Sequence, residues 1–322
     1  MTSPVLHPEW LKLEQKLGGR SVLQGSPEEI RVQYNSITSL AATTQPPASP
    51  NVIVKDQEVE GIKCRVYTPL GSNGQGPLPV GVYTHGGGFV CGDLNSEDPL
   101  CRIICEHARC ILVSVDYRLG PENKLPTMLE DTLAVYRWAL ANASQFGGDV
   151  SKFFSIGGSA GGGLALSVAN HFAKQPQGRE SIKGVVAITP LALHWEKVPS
   201  EYKSVYRSYD ENAENEPVIN KATMETFYAA VNANPQDSDI FTALSPHHAQ
   251  FPPTYICTCG ADPLRDDGRV MNTALSNAGV QTKLQEYPEL PHYFWIMGDL
   301  EVSRKFVDDL IAGVQWVISQ MD

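Results

Sequence analysis

The chain has 322 residues, 42% of them hydrophobic, and its 36 acidic side chains against 25 basic ones give a formal net charge of −11. The length allows one large core with an inserted or appended subdomain. The acidic balance and the lack of any Lys/Arg cluster exclude nucleic acid and other polyanions, which need a concentrated basic footprint. No run reaches the ~18 apolar residues of a membrane span, and Met1–Trp10 lacks the basic and apolar regions of a secretory leader. A soluble, cytoplasmic protein is therefore expected. Seven cysteines, an odd number, suit reduced thiols better than a disulfide framework.

Two helices are expected first, Glu9–Leu17 and Pro27–Ala42, the second announced by Ser26-Pro27-Glu28-Glu29, an N-cap followed by proline and first-turn acids. Pro46-Pro47-Ala48-Ser49-Pro50 forms a stiff linker. Strands then read at Val52–Val59, Ile62–Tyr67 and Val80–Thr84, the last running straight into His85-Gly86-Gly87-Gly88-Phe89. Such a glycine loop lets backbone N–H groups approach a developing oxyanion closely. His85 reads as a donor that orients this loop rather than as a base. Cys101, Cys105 and Cys110 lack histidine or acidic partners at zinc-ligand spacing, His107 being isolated, so they read as buried thiols and no metal is assigned. No cofactor is called for.

After the strand Ile111–Val115, the apolar run Phe153–Ile156 breaks into Gly157-Gly158-Ser159-Ala160-Gly161 and then into an alanine- and leucine-rich helix. This is the pattern of a nucleophile elbow, in which a serine is held at a strained turn between strand and helix. A nucleophilic serine needs a base, and the base an orienting carboxylate. Downstream, strand Thr254–Cys259 leads into Asp262-Pro263-Leu264-Arg265-Asp266-Asp267-Gly268, and strand Thr282–Tyr287 into Pro291-His292. Asp262 is preferred because it comes first after its strand, leaving Asp266 and Asp267 to solvent or to capping the next helix. His292 is the one histidine that follows a strand late in the chain; His194, His247 and His248 read as surface or satisfied polar groups. The candidate catalytic residues are Ser159, Asp262 and His292.

Between the strand Gly184–Thr189 and the Asp262 strand lies a polar and aromatic stretch with one helical segment, Ala222–Ala230. It reads as a cap insertion. The expected organisation is an N-terminal helical cap segment over 1–45, core over 46–194, cap insertion over 195–239 and core again over 240–322. Trp195, Tyr206 and Phe227 of the insertion, with Phe89 and Tyr293 beside the reactive loops, are candidates for lining a substrate pocket, alongside Tyr202, Tyr209 and Tyr228. The alternation of strands and helices implies an α/β fold with a mostly parallel sheet, helices on both faces and reactive loops at the carboxyl ends of the strands. The final amphipathic segment, Leu300–Ile318, either packs on its own domain or pairs with a second copy as a homodimer.

Together, His85-Gly86-Gly87-Gly88, Asp116-Tyr117-Arg118-Leu119-Gly120-Pro121-Glu122, Gly157-Gly158-Ser159-Ala160-Gly161-Gly162, Asp262-Pro263-Leu264-Arg265-Asp266-Asp267-Gly268 and Pro291-His292 resemble, in order, the motifs of the hormone-sensitive-lipase-like branch of the α/β-hydrolases. The resemblance spans about residues 50 to 320. It implies an α/β-hydrolase fold with a helical cap, Ser159 as nucleophile, His292 as base, Asp262 as its orienter, and the N–H groups of Gly87, Gly88 and Ala160 as an oxyanion hole. It also implies a carboxylesterase acting on small-molecule esters of short to medium acyl chain, similar to intracellular fungal esterases of aromatic metabolites. A transacylase or amidase would use the same triad; a ligand-binding receptor of this branch would lack the late histidine. The Asp116–Glu122 charges are expected to pair within their own segment. Two positions depart from the branch: Gly158 stands where an acidic residue is common, which alters the field beside the serine, and Gly120 where alanine is common.

Overall fold

The protein is described by a computed structural model covering residues 5–71, 76–214 and 216–321. Eight strands form one sheet: β1 (Val52–Val59), β2 (Ile62–Pro69), β3 (Leu78–Thr84), β4 (Ile111–Val115), β5 (Gly148–Gly158), β6 (Gly184–Ile188), β7 (Thr254–Ala261) and β8 (Thr282–Pro291). Their order is β1-β2-β4-β3-β5-β6-β7-β8. β1 and β2 pair antiparallel, β2 meets β4 antiparallel, and every later pairing is parallel. The interior parallel strands β4, β6 and β7 are buried along their whole length. This is why they read as nearly continuous apolar runs, since helices cover both faces of such a sheet. The edge strands β1 and β8 carry most of the exposed positions.

The helices are α1 (Pro8–Lys16), α2 (Pro27–Ala42), α3 (Asp98–His107), α4 (Thr127–Asn142), α5 (Ala160–Ala173), α6 (Gly178–Ser181), α7 (Ser208–Glu211), α8 (Lys221–Ala230), α9 (Arg265–Asn277) and α10 (Glu301–Ser319). α2 starts where its signal stands: Ser26 Oγ accepts from Glu29 N at 3.3 Å while the Glu29 carboxylate accepts from Ser26 N at 2.7 Å. Two strands run well past their apolar cores. β5 starts at Gly148, ahead of the polar Asp149–Lys152, and β8 continues through Pro288 and Glu289 to Pro291. In both, the residues of low strand propensity fall in a register shift between paired positions: Leu78 pairs with Gly148 and Val80 with Phe153, Cys259 with Tyr287 and Ala261 with Pro291.

α5 lies in the middle of the molecule, with all its residues buried except His171. Its glycines let it reach the sheet: Thr84 Oγ1 donates to the Gly161 carbonyl at 2.7 Å. A Cβ at 161 would lie 2.5 Å from the His85 carbonyl oxygen and closer still to that of Thr84. α10 packs on β6 and β7, where Gly184 faces Val317 and Gly313 faces the Tyr255 ring. All seven cysteines are free and buried. Among the described residues no cluster of His, Cys, Asp or Glu could hold a metal, and no helix is long and apolar enough to cross a membrane.

The N-terminal segment lies against the stretch between β6 and β7. Val22 and Val218 form a parallel bridge, Leu23 N donates to Val218 O, Val218 N to Ser21 O, and Thr223 Oγ1 to Leu23 O at 2.6 Å. At this junction Glu216 is only 1% exposed. Burial pushes its carboxyl up to about 7, Arg20 opposing and the charges of Glu14 and Asp262 adding to the rise.

Two outcomes are expected from this packing. Gly161→Ala forces α5 away from β3 and lowers stability by ~1–3 kcal/mol or more in urea denaturation, as overpacking of a close contact does. A carboxyl raised from its ordinary 4.5 to about 7 stabilises the fold fully below 4.5, and that contribution is lost as pH rises through 7. The stability of the wild type relative to Glu216→Gln therefore falls across that window, measured by thermal melts at stepped pH.

Candidate active site

Three parallel strands deliver three side chains to one point. Ser159 stands between β5 and α5 with φ 56° and ψ −122°, a conformation L-residues avoid and the neighbouring packing enforces. Its amide donates to Ile188 O, and its carbonyl accepts from Gly163 N and Leu191 N, so the turn is held on both sides. Asp262 follows β7 directly and is fully buried; Oδ1 accepts from Leu264 N at 2.8 Å, which fixes the carboxylate plane. His292 follows β8 and is 3% exposed. Its Nδ1 lies 2.7 Å from Asp262 Oδ2 and its Nε2 2.9 Å from Ser159 Oγ. A carboxylate at Nδ1 holds the proton there and leaves Nε2 as the acceptor for a hydroxyl proton.

The glycine loop after β3 passes beside Ser159. Gly87 has φ 115° and Gly88 φ 62°, backbone that only glycine adopts readily. A side chain at 87 would overlap the Cys91 carbonyl, and one at 88 the ring of Phe227. Ala160 is the first residue of α5, where a backbone amide has no acceptor within the helix. Gly87, Gly88 and Ser159 line one small cavity of about 20 Å³ with Leu23, Tyr34, Val218, Ile219, Phe227, His292 and Tyr293. His85 is oriented by Nδ1, 2.8 Å from Gly86 O, and by stacking on Tyr117 at 4.2 Å. Burial pulls its pKa down to about 4, so the ring is neutral at physiological pH.

Of the aromatic side chains expected to line a substrate pocket, Phe227 and Tyr293 do face Ser159. Trp195 and Tyr206 line a different cavity with Tyr209, Lys203 and Arg207. There Trp195 packs on Tyr209 and Tyr228, and the Tyr206 hydroxyl is spent on Asp267 at 2.6 Å. Phe89 is 1% exposed, follows the glycine loop at φ 65° and belongs to the core. The walls that periodicity did not suggest, Leu23, Tyr34, Val218 and Ile219, come from two segments nearly two hundred residues apart.

Two further expectations need correcting. Asp266 and Asp267 are not solvated; they are 1% and 0% exposed. Asp267 accepts from Ala192 N and Leu193 N, both at 3.0 Å, while Asp266 accepts from Arg207 N and Ser208 N. They pin the loop after β6 and the start of α7, which is how buried carboxylates are satisfied. The Asp116–Glu122 charges pair outside their own segment. Arg118 pairs with Asp131 of α4 at 2.6 Å, and Glu122 takes a bidentate bond from Arg31 of α2, whose guanidinium also donates to Val90 O and Gly120 O. Gly120 itself is small because a Cβ there would lie 2.6 Å from a Val231 methyl. His194 is 5% exposed and satisfied, accepting from Glu196 N.

Comparison with known proteins agrees with this architecture. A family model described as alpha/beta hydrolase fold matches residues 81–296. The chain is 48% identical, over 97% of its length and 95% of the relative's, to a versiconal hemiacetal acetate esterase of Dothistroma septosporum. It is 33% identical to a carboxylesterase of Mycobacterium tuberculosis, over 77% of each chain. Among solved structures, vibralactone cyclase superposes with a TM-score of 0.88 at 30% identity, covering 100% of this chain and 97% of that one. A hyperthermophilic esterase of Pyrobaculum calidifontis does so at 0.82 and 28%, covering 97% and 98%. With the matched model spanning most of the chain and esterases similar over nearly its full length, the protein belongs to the alpha/beta hydrolase fold family, in its hormone-sensitive-lipase-like esterase branch, and is an ester-hydrolysing enzyme.

Proposed function

We propose that this esterase removes acetyl and similarly short acyl groups from larger alcohols, through an acyl-enzyme on Ser159. The observation that carries the reading is the pairing of a Ser159–His292–Asp262 hydrogen-bonded line with a cavity of only about 20 Å³ at the serine. One water needs ~10–15 Å³ on that measure. The space beside Oγ is therefore small, and a long acyl chain would have to displace Phe227 or Ile219. The acetate ester named for the Dothistroma relative supports the same choice.

In this mechanism Ser159 Oγ attacks the ester carbonyl carbon as its proton passes to His292 Nε2, and Asp262 stabilises the resulting imidazolium. The carbonyl oxygen becomes an oxyanion facing the amides of Gly87, Gly88 and Ala160. When it collapses, the bond to the alkoxide breaks and the alcohol leaves with the His292 proton. Water then repeats the sequence on the acyl-enzyme, releasing the acid and restoring the serine. Residues 1–45 and 195–239 serve as the cap over this chemistry, since both supply walls of the cleft.

The likeness to a structure named as a cyclase favours a second reading, in which the acyl group is passed to a hydroxyl instead of water. Product partition between water and added methanol separates the two. Seven free, buried thiols support placing the enzyme in the reducing cytosol, and a homodimer through the exposed side of α10 is open to test by light scattering.

Steady-state and burst kinetics on p-nitrophenyl esters from acetate to palmitate test the main reading. Turnover is expected to be greatest on acetate to butyrate and to fall steeply beyond. Ser159→Ala should remove at least ~10⁴-fold of kcat; residual activity near wild type would discard the serine as nucleophile. Phe227→Ala, which clears the ring packed over Gly88, should shift the optimum toward longer chains, seen as a rise in the hexanoate-to-acetate ratio of kcat/KM.

A further inference from the structure

Behind the nucleophile lies a carboxylate that the acyl-transfer chemistry leaves unused. Glu97 stands immediately before α3 and is 4% exposed. Its carboxylate accepts from the Tyr83 hydroxyl near the end of β3 and from the Gly86 amide, 3.2 Å from Oε1. The hydroxyl of Tyr293, the residue after His292, lies 3.1 Å from the Tyr34 hydroxyl of α2. A Cβ built on Gly86 would lie 3.2 Å from Glu97 Oε1 and 3.4 Å from Ser159 Cβ; one built on Gly158 would lie 3.7 and 3.8 Å from the two carboxylate oxygens. The carboxylate therefore touches the glycine loop and borders the shoulder of the serine turn.

The glycine loop needs such a tether. Three successive glycines have wide conformational freedom, yet oxyanion donors stabilise a transition state only if they are already aimed when charge develops. The loop's carbonyls are held: His85 O accepts from Tyr117 at 2.8 Å, and Gly87 O accepts from Val90 N and Cys91 N at 3.0 and 2.8 Å. Glu97 holds the amide between them. Burial pushes its carboxyl above the ordinary range, while the Tyr83 hydroxyl, the Gly86 amide, the Tyr293 hydroxyl and the His292 charge pull it back.

We propose that Glu97 is a positioning residue, which by accepting the Gly86 N–H fixes the next two peptides so that the amides of Gly87 and Gly88 face the carbonyl oxygen as it becomes an oxyanion. This rests on the acyl-transfer reading of Ser159, and Ser159→Ala is run alongside so that the two can fail separately.

The test compares Glu97→Ala, Glu97→Gln and Glu97→Asp in acetate-ester kinetics and in inhibition by an alkyl trifluoromethyl ketone. A serine nucleophile adds to the carbonyl carbon of that ketone, its proton passing to the base, to leave an oxyanion in the hole. Glu97→Ala is expected to lose ~10²-fold in kcat, the scale of losing one oxyanion donor, and a similar factor in ketone affinity, with KM within about threefold. Glutamine keeps an acceptor at the same reach and should restore most of both. Aspartate keeps the charge but withdraws the acceptor by one methylene and should not. Should the alanine variant fold poorly, the glutamine and aspartate variants decide alone. The proposal is overturned if kcat in the folded alanine variant stays within about twofold of wild type, if kcat falls with ketone affinity unchanged, or if aspartate is active and glutamine is not. If Ser159→Ala is inert and Glu97→Ala is unchanged, only this inference fails; if Ser159→Ala still turns over, the mechanism it rests on fails.

Discussion

The 2.9 Å separation of Ser159 Oγ and His292 Nε2 is the constraint on which the rest of the architecture depends. Two loops more than a hundred residues apart can meet at that distance only if the strands beneath them run parallel and end level. β5, β6, β7 and β8 do so, with β6 as the spacer between serine and carboxylate strands. The same demand explains the glycines at the start of α5. Unless that helix sits tight against β3, the serine turn rises out of plane and the hydroxyl loses the imidazole.

A second layer of bonds holds the loops rather than the strands. Asp266 and Asp267, one turn beyond Asp262, anchor the chain after β6 and the start of α7. Arg31 reaches from α2 to Glu122 and to two backbone carbonyls beside the glycine loop. These bonds cost side-chain freedom and desolvation, and they return little net energy in the exposed Arg31 pair. Their contribution is geometric, because a hydrogen-bonded line of three side chains on separate loops tolerates little drift.

The strands and the order serine, aspartate, histidine were legible because burial on both faces writes itself as local apolar runs and because glycine marks each sharp turn. Partners across long sequence distances were not. Asp267 reads as a helix-start acid, since nothing near it in the chain announces the Ala192 and Leu193 amides it accepts from. Trp195 and Tyr206 read as pocket walls because aromatic content does not say which of two cavities a ring faces. Glu97 gave no signal at all: its two bonded groups lie 11 and 14 residues away across a turn, and only the fold brings them to the serine. The one departure noticed in the elbow, Gly158, marked the spot without naming its neighbour.

His292 hangs from the last strand, at the edge of the sheet, and the main-chain N–H of His7 donates to Glu289 on that strand at 2.8 Å. Synthesis therefore releases Ser159 first, Asp262 about a hundred residues later and His292 30 residues after that, while His7 waits for the strand that accepts its amide. Chains fold from the N-terminal side as they are made, so a growing polypeptide carries the serine turn through the 133 residues that separate it from His292 with no imidazole to hydrogen-bond it. The Ser159–His292 contact therefore waits on the pairing of the edge strand with β7.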